Sequence, residues 1–385
     1  AEVFADADYA AEIRPGAMAP DELIDEIRGV HLLGIRSKTH VPAEVLQAAD
    51  SLLAIGCFCI GTDQADLDTA MQRGVPVFNA PFSNTRSVAE LTMANIVMLA
   101  RKAVQRSQEL HRGVWRKSAE GCNEIRGKTL GIIGYGHIGQ QIGLLAEAFG
   151  MRILFHDIVK KLPLGNARQI DSLDDLLRQA DFVTLHVPDT PLTRGLIGAE
   201  EIARMRPDAY LLNLSRGTVV DLAAVRDALL NGCLAGAAAD VYPREPKSGS
   251  EPFQSELQGI DNVILTPHIG GSTEEAQRNI GEEVASAMIR FTDTGSTTGA
   301  VNFPQVELPM LRDTHRLLNI HRNVPGVLHE INRIMADTGV NIDSQYLSTW
   351  RDVGYLIMDV DQSASREIKQ RIDALDNTIR TRLLF

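Results

Sequence analysis

The chain predicts an α/β protein of 385 residues: two successive sets of alternating strands and helices that build parallel sheets, then a smaller α+β module. Three observations carry this. From Thr129 to Asp157 an apolar strand ends in closely spaced glycines, a helical stretch follows, and a second strand ends in an acid. Between about residues 21 and 79, short apolar runs alternate with helical patterns. From Arg316 to Phe385 the order reads strand, helix, strand, strand, helix, strand, the ferredoxin-like arrangement.

Taken in order, the first region runs H-L-L-G-I-R, V-L-Q-A-A, L-L-A-I-G, L-D-T-A-M-Q-R-G and V-P-V-F-N, which is βαβ organisation. It opens without Met and without a strong strand, so an N-terminal piece is expected to precede Ala1. Ser87 to Arg112 reads as one long helix, with Ser87 and Glu90 at capping-box spacing. Its lack of a wide polar face suggests a helix that crosses between domains or packs on another subunit. Strands of the second set are expected at 130–134, 152–156, 182–187, 210–214, 235–240 and 262–266. Helix returns from Ser272 to about Arg290, Gly295 to Gly299 is expected to be a flexible turn, and Pro325-Gly326 opens the first helix of the last module.

T-L-G-I-I-G-Y-G-H-I-G is the dinucleotide-binding fingerprint when strand and helix flank it, as here. Gly134 permits the tight turn, Gly136 lets the backbone approach a pyrophosphate, and Gly139 lets helix and strand pack closely, leaving the helix N-terminus for the diphosphate. Asp157, eighteen residues past Gly139, suits the ribose hydroxyls of NAD and would repel the extra phosphate of NADP.

Composition narrows the partners. A net charge of -12 with no basic stripe argues against nucleic acid. The apolar runs are too short to span a bilayer, and no signal peptide is visible. Cys57, Cys59, Cys122 and Cys233 lack disulfide-scaffold density and the paired C-x-x-C spacing of zinc or redox sites, so reduced packing residues in a cytoplasmic protein without a metal are expected.

Arg216, Glu245 and His268 each follow a strand of the second set, in N-L-S-R-G-T-V-V-D, Y-P-R-E-P and T-P-H-I-G-G. That is the carboxyl edge at which such sheets present ligands. A guanidinium can fork onto a 2-oxo or 2-hydroxy carboxylate. A histidine with a carboxylate partner can take the hydroxyl proton as hydride leaves for the nicotinamide.

These motifs resemble the D-isomer-specific 2-hydroxyacid dehydrogenase family over nearly all of the first 300 positions, through G-Y-G-H-I-G at 134–139, S-R-G-T-V-V-D at 215–221, the E-P pair at 245–246 and P-H-I-G-G at 267–271. The resemblance implies Arg216, Glu245 and His268 as the catalytic set. It implies a discontinuous, flavodoxin-like substrate domain (1–83 and 271–312) around a Rossmann-type NAD domain (84–270), with a cleft closed by hinge motion. For NAD it implies Gly134, Gly136, His137, Ile138, Gly139 and Asp157, with Val187, Pro188, Leu214, Ser215, Arg216, Asp240, His268, Gly270 and Gly271 from strand ends.

Within the family, A-I-G-C-F-C-I-G-T-D at 54–63 offers the backbone of Cys59, Ile60 and Gly61 to a carboxylate. I-R-S-K-T at 35–39 offers Arg36 and Lys38 to a phosphate, with Lys117 a further candidate. The last module (313–385) resembles an ACT domain through H-R-N-V-P-G-V-L and G-V-N-I, which implies an amino-acid effector held by His321, Asn323 and Asn341. Together these imply 3-phosphoglycerate as substrate, L-serine as effector and a homotetramer. The alternatives are an unphosphorylated acid such as glyoxylate or lactate, or a non-catalytic NAD sensor. The glycine-free linker at 308–315 suggests restricted motion of the last module.

Overall fold

The computed structural model describes residues 2–246, 251–309, 314–362 and 365–385. The chain divides into two compact units, Ala1–Ser83 with Gln277–Phe385, and Asn84–Ala276.

The first unit opens with helices α1 (Glu2–Asp6), α2 (Pro20–Glu26), α3 (Ala43–Ala48) and α4 (Leu67–Gln72) around strands β1 (Leu32–Ile35), β2 (Ala54–Cys57) and β3 (Val77–Phe78). The strands form a parallel sheet in the order β1-β2-β3. Central β2 is buried along its whole length, which is why it reads as an unbroken apolar run. Asp66 caps α4 by accepting from the Thr69 backbone N–H at 2.9 Å. The outer side of β1 lines a cavity of ≈ 1210 Å³ with Phe4, Met18, Leu53 and Met288.

The second unit holds α5 (Thr85–Ala100), α6 (Ala103–His111), β4 (Thr129–Ile133), α7 (His137–Ala148), β5 (Arg152–His156), β6 (Arg168–Gln169), α8 (Leu173–Gln179), β7 (Phe182–Leu185), α9 (Ala199–Arg204), β8 (Tyr210–Asn213), α10 (Leu222–Leu230), β9 (Gly236–Ala239) and β10 (Val263–Leu265). Its seven strands are parallel, in the order β10-β9-β8-β7-β4-β5-β6. Successive residues of a strand face opposite ways. Leu130 and Ile132 therefore pack with Ile96, Leu99 and Ile142 of α5 and α7, while Ile133, Val183 and Leu185 pack with Leu176, Ile202 and Val225 of α8, α9 and α10. Helices on both faces make the sheet doubly wound.

Three expectations change here. The long helix is two helices, broken where Lys102 takes a left-handed φ of 51°. Its first part starts after Asn84, and Ser87 instead bonds Thr273 at 2.8 Å while Glu90 pairs with Arg86. α5 lacks a polar face because Ala89, Met93 and Ile96 are buried in this unit's own core. The short polar strand β6 had no alternating signal to reveal it.

α11 (Glu274–Thr294) leads back to the first unit and its second sheet: β11 (His315–Arg322), α12 (Val327–Thr338), β12 (Ile342–Trp350), β13 (Val353–Val360), α13 (Ser365–Asp373) and β14 (Thr378–Leu384). This sheet is antiparallel, in the order β12-β13-β11-β14. One face carries α12 and α13, with Leu317, Leu356 and Met358 against Ile331, Ile334 and Ile368. The other shares a core with α11 and the parallel sheet, with Leu318, Ile320 and Tyr355 beside Phe78, Val284 and Phe291. Every residue of β13 is buried as a result. The last module keeps its own four-stranded sheet and two helices and lies within the first unit. Gly295 to Gly299, expected as a flexible turn, is buried at Gly295, Ser296 and Thr297, and the Gly295 carbonyl accepts from Tyr355 Oη at 2.6 Å. Half of the linker, residues 310–313, lies outside the described residues. Among those described, no helix is long and apolar enough to cross a membrane.

Candidate active site

The glycine turn after β4 takes the shape its sequence requires. Gly134 has φ +89°, and a Cβ there would lie 2.4 Å from the His186 carbonyl oxygen. A Cβ on Gly139 would meet the Gly134 carbonyl at 2.3 Å, whereas one on Gly136 would meet nothing within 4 Å. The middle glycine therefore borders open space at the N-terminus of α7, where His137 and Ile138 begin the helix. Asp157, just past β5, accepts from Tyr135 N at 2.9 Å and Val159 N at 3.1 Å, so its carboxylate sits beside the turn. A turn open at its middle glycine, a helix N-terminus and an adjacent acid fit a dinucleotide. Val187 touches this turn, and Pro188 is held through its carbonyl by Thr193 Oγ1 at 2.6 Å.

Arg216, Glu245 and His268 all come from loops at the carboxyl ends of this sheet. Leu214 and Ser215 are buried just after β8, and Ser215 Oγ donates to Asn213 at 2.9 Å while Asn213 Nδ2 donates to the Arg216 carbonyl, also at 2.9 Å. Among the described residues, the exposed Arg216 side chain bonds only the Ser215 carbonyl, at 2.7 Å. The next residue, Gly217, approaches the Tyr242 backbone so closely that a Cβ would lie 2.0 Å from its carbonyl carbon. The Arg216 and Glu245 loops are thereby locked together.

His268 Nδ1 and Glu245 Oε2 are 2.8 Å apart, and Glu245 Oε1 accepts from Tyr242 N at 3.1 Å. The Glu245 hydrogen bond raises the His268 pKa above the ordinary histidine value, against the opposing effect of burial. For Glu245, burial alone would push the pKa up, but the bonds from His268 and Tyr242 outweigh it and leave the carboxyl below its usual range. His268 has a left-handed φ of 55°. The surrounding turn is clamped by Asp240, whose side chain accepts from Thr266 Oγ1 at 2.5 Å, Ile269 N at 2.9 Å and Gly270 N at 2.8 Å. Gly271 packs onto Asn84. Tyr242 was missed in the sequence; its hydroxyl reaches the Ala239 and Thr266 carbonyls, tying the loops of Glu245 and His268. Its only signal was a place inside Y-P-R-E-P.

The remaining expected residues lie on other elements. Arg36 and Lys38 follow β1, with Arg36 Nη2 donating to Gln277 at 2.6 Å, and Cys59, Ile60 and Gly61 follow β2 in the first unit. Lys117 lies in an exposed stretch of the second unit, near Trp115, which is 80% exposed. His321 is buried at the end of β11, bonded to Asn319 at 2.9 Å and laid across Gly354, and burial lowers its pKa. Asn323 Nδ2 donates to the Arg351 carbonyl at 2.9 Å and Asn341 to Asp343 at 3.0 Å. Asn341 precedes β12, whose first residue pairs with Val360, while His321 pairs with Gly354. Within one chain Asn341 therefore stands at the opposite end of the sheet from His321 and Asn323, about 20 Å away at ~3.3 Å per residue.

Comparison with known proteins accords with this geometry. Residues 93–270 match the NAD binding domain of D-isomer specific 2-hydroxyacid dehydrogenases, and residues 317–380 match an AHAS small subunit-like ACT domain. D-3-phosphoglycerate dehydrogenase of Escherichia coli K12 is 54% identical over 97% of this chain and 92% of its own length. The enzyme of that name from Dictyostelium discoideum is 53% identical over 99% and 93%. The chain belongs to the D-isomer specific 2-hydroxyacid dehydrogenase family. Among solved structures, a D-lactate dehydrogenase from Aquifex aeolicus, complexed with NAD and lactic acid, matches 78% of this chain and 95% of its own, with TM-score 0.68 and 28% identity.

Proposed function

We propose that this chain oxidises the 2-hydroxyl of 3-phospho-D-glycerate to the ketone 3-phosphohydroxypyruvate with NAD, the first step of L-serine synthesis, and that L-serine inhibits it through the ACT module. The observation that carries the chemistry is the 2.8 Å pair of His268 and Glu245 on loops locked to that of Arg216. NAD, when bound, supplies the hydride acceptor. The Gly134–Gly139 turn and Asp157 would hold it, aided by the strand-end residues named above. Glu245 fixes the imidazole with Nδ1–H toward its carboxylate, leaving Nε2 to take the hydroxyl proton, and stabilises the imidazolium that forms. Arg216 orients the carboxylate as a fork, and Arg36 and Lys38, with Lys117, take the phosphate. The relatives named for this substrate, similar over nearly the whole chain, support the choice over glyoxylate or lactate.

The register of the C-terminal sheet supports an effector site shared between two chains. A two-fold copy pairing edge to edge along β12 would bring its Asn341 to the end of the sheet where His321 and Asn323 lie. Trp115, Leu110 (53% exposed) and Val114 (45%) offer a second, apolar surface on the other unit, and two different surfaces per chain generate a tetramer. We place this enzyme in the cytoplasm. A panel of 2-hydroxy acids followed at the NADH absorbance, with and without millimolar serine, tests the reading. Fastest turnover of 3-phosphoglycerate with serine inhibition is expected; preference for lactate or glyoxylate would refute it.

A further inference from the structure

The loop after β2 is fixed through its backbone: three successive carbonyls each accept a hydrogen bond. The Cys59 carbonyl accepts from Ala80 N at 3.3 Å. The Ile60 carbonyl accepts from Asn79 Nδ2. The Gly61 carbonyl accepts from Cys59 Sγ at 3.2 Å and from Gln64 Nε2 at 3.4 Å, and Gln64 also donates to Cys59 Sγ at 3.0 Å. A trans peptide is planar, with its C=O and N–H pointing in opposite directions. Anchoring these oxygens therefore turns the N–H groups of Ile60, Gly61 and Thr62 the other way, and successive N–H groups so presented make a concavity for an anion.

We infer that Asn79 and Cys59 are positioning residues for the substrate carboxylate, acting through the carbonyls of Ile60 and Gly61. Asn79 follows β3 and lies in neither of the regions matched by family models. Its Oδ1 is buried and has no partner among the described residues, so the amide is oriented by its bond to Ile60. Turned end for end, it would set one acceptor against another. Burial pushes the Cys59 thiol pKa up, which keeps it a donor at neutral pH. The inference rests on the proposed 2-hydroxy acid chemistry but not on the phosphate, since every candidate substrate carries the carboxylate.

The test uses the full chain and whichever 2-hydroxy acid the wild type oxidises fastest, so that failure of the 3-phosphoglycerate reading is scored separately. Asn79→Asp replaces the donor by an acceptor. It should raise KM about tenfold or more, with kcat and the Kd for NAD nearly unchanged, because a carboxylate receiver contributes equally before and during the reaction. Asn79→Ala should act in the same sense at about three- to tenfold, the scale of one hydrogen bond. Cys59→Ala should also raise KM, and Cys59→Ser, which restores a donor, should return it toward wild type. An unchanged KM in Asn79→Asp, or a KM shift matched by equal losses in kcat and NAD affinity, would overturn the inference. Should Asn79→Asp fail to fold, the two Cys59 variants decide it: equal KM values for alanine and serine overturn it.

Discussion

Glu245 and His268 meet at 2.8 Å with side chains 37% and 53% exposed, whereas Arg316 and Asp359 meet at 2.7 Å with both side chains 1% exposed. The chemistry of the two pairs is similar and the use opposite. Arg316 makes five hydrogen bonds: Nε and Nη2 to Asp359, Nη1 to the carbonyls of Thr294 (3.0 Å) and Leu308 (2.7 Å), and Nη2 to that of Pro309 (2.6 Å). No donor is left for a ligand. Asp359 further accepts from Ser344 at 2.7 Å. Among the described residues the Arg216 side chain, by contrast, makes one hydrogen bond, and the His268 ring commits only Nδ1. A site for chemistry keeps bonding capacity in reserve; a joint spends all of it.

The largest expected effect tests the reserve. His268→Gln should lower kcat by about 10²- to 10⁴-fold, the usual contribution of a general acid or base, while the denaturation midpoint and NAD affinity stay close to wild type. Near-normal turnover in a stopped assay would remove His268 from the mechanism. Arg216→Lys should damage substrate binding as well as rate, because a point charge cannot reproduce the fork.

Arg316→Met should do the reverse. It leaves Asp359 charged and buried without its partner, and breaking such a pair typically costs about 3–5 kcal/mol. Chemical denaturation should show that loss, while kcat/KM of the folded fraction changes little. The double variant Arg316→Met with Asp359→Leu should recover part of the stability, since burying neither charge avoids the penalty. A single variant as stable as wild type would mean that Arg316 is not the joint its burial implies.

How far each region could be read from sequence follows from the same contrast. The placement of Arg216, Glu245 and His268 at one sheet edge was legible because each sits in a short motif at a strand end, where glycine and proline mark a turn and the sheet edge supplies the direction. The glycines at 134, 136 and 139 were legible for the same local reason. Arg316 and Asp359 stand far apart in sequence and meet only through the register of β11 with β13. That register also buries both faces of β13 and joins the last module to the parallel sheet, which no periodicity within 313–385 could reveal. Asn79 was hidden because its action is on a backbone carbonyl of another loop. The break at Lys102 was hidden because a partly buried lysine carries no turn signal.

A smaller effect separates the roles within the pair proposed as catalytic. Glu245 raises the His268 pKa, and the oxidation reaction needs the imidazole neutral so that it can accept the hydroxyl proton. Oxidation should therefore gain rate as pH rises through that elevated pKa. Glu245→Gln removes the carboxylate, leaving burial and Arg216 to lower the pKa against Asp240. The acid limb of kcat/KM for oxidation should move to lower pH, and the reduction reaction, which needs the proton present, should lose activity at a correspondingly lower pH. Unmoved limbs in both directions would mean that Glu245 orients the ring without tuning it.

The smallest effect concerns Arg36, which lies at the end of β1 with its guanidinium exposed and bonded to Gln277. Neither a joint nor a proton carrier, it retains N–H groups that can meet a phosphate. Arg36→Gln should raise KM for 3-phosphoglycerate by about tenfold, equivalent to ~1.4 kcal/mol, while turnover at saturation holds, because an anion clamp remote from C2 acts through binding. The measurement that sharpens the assignment is the same variant on an unphosphorylated 2-hydroxy acid, whose KM should not move. Equal losses on both substrates would place Arg36 on the carboxylate or in the support of α11 through Gln277. A loss confined to the phosphorylated acid would leave the fixed N–H groups of the β2 loop as the carboxylate receiver and Arg36 as the phosphate's.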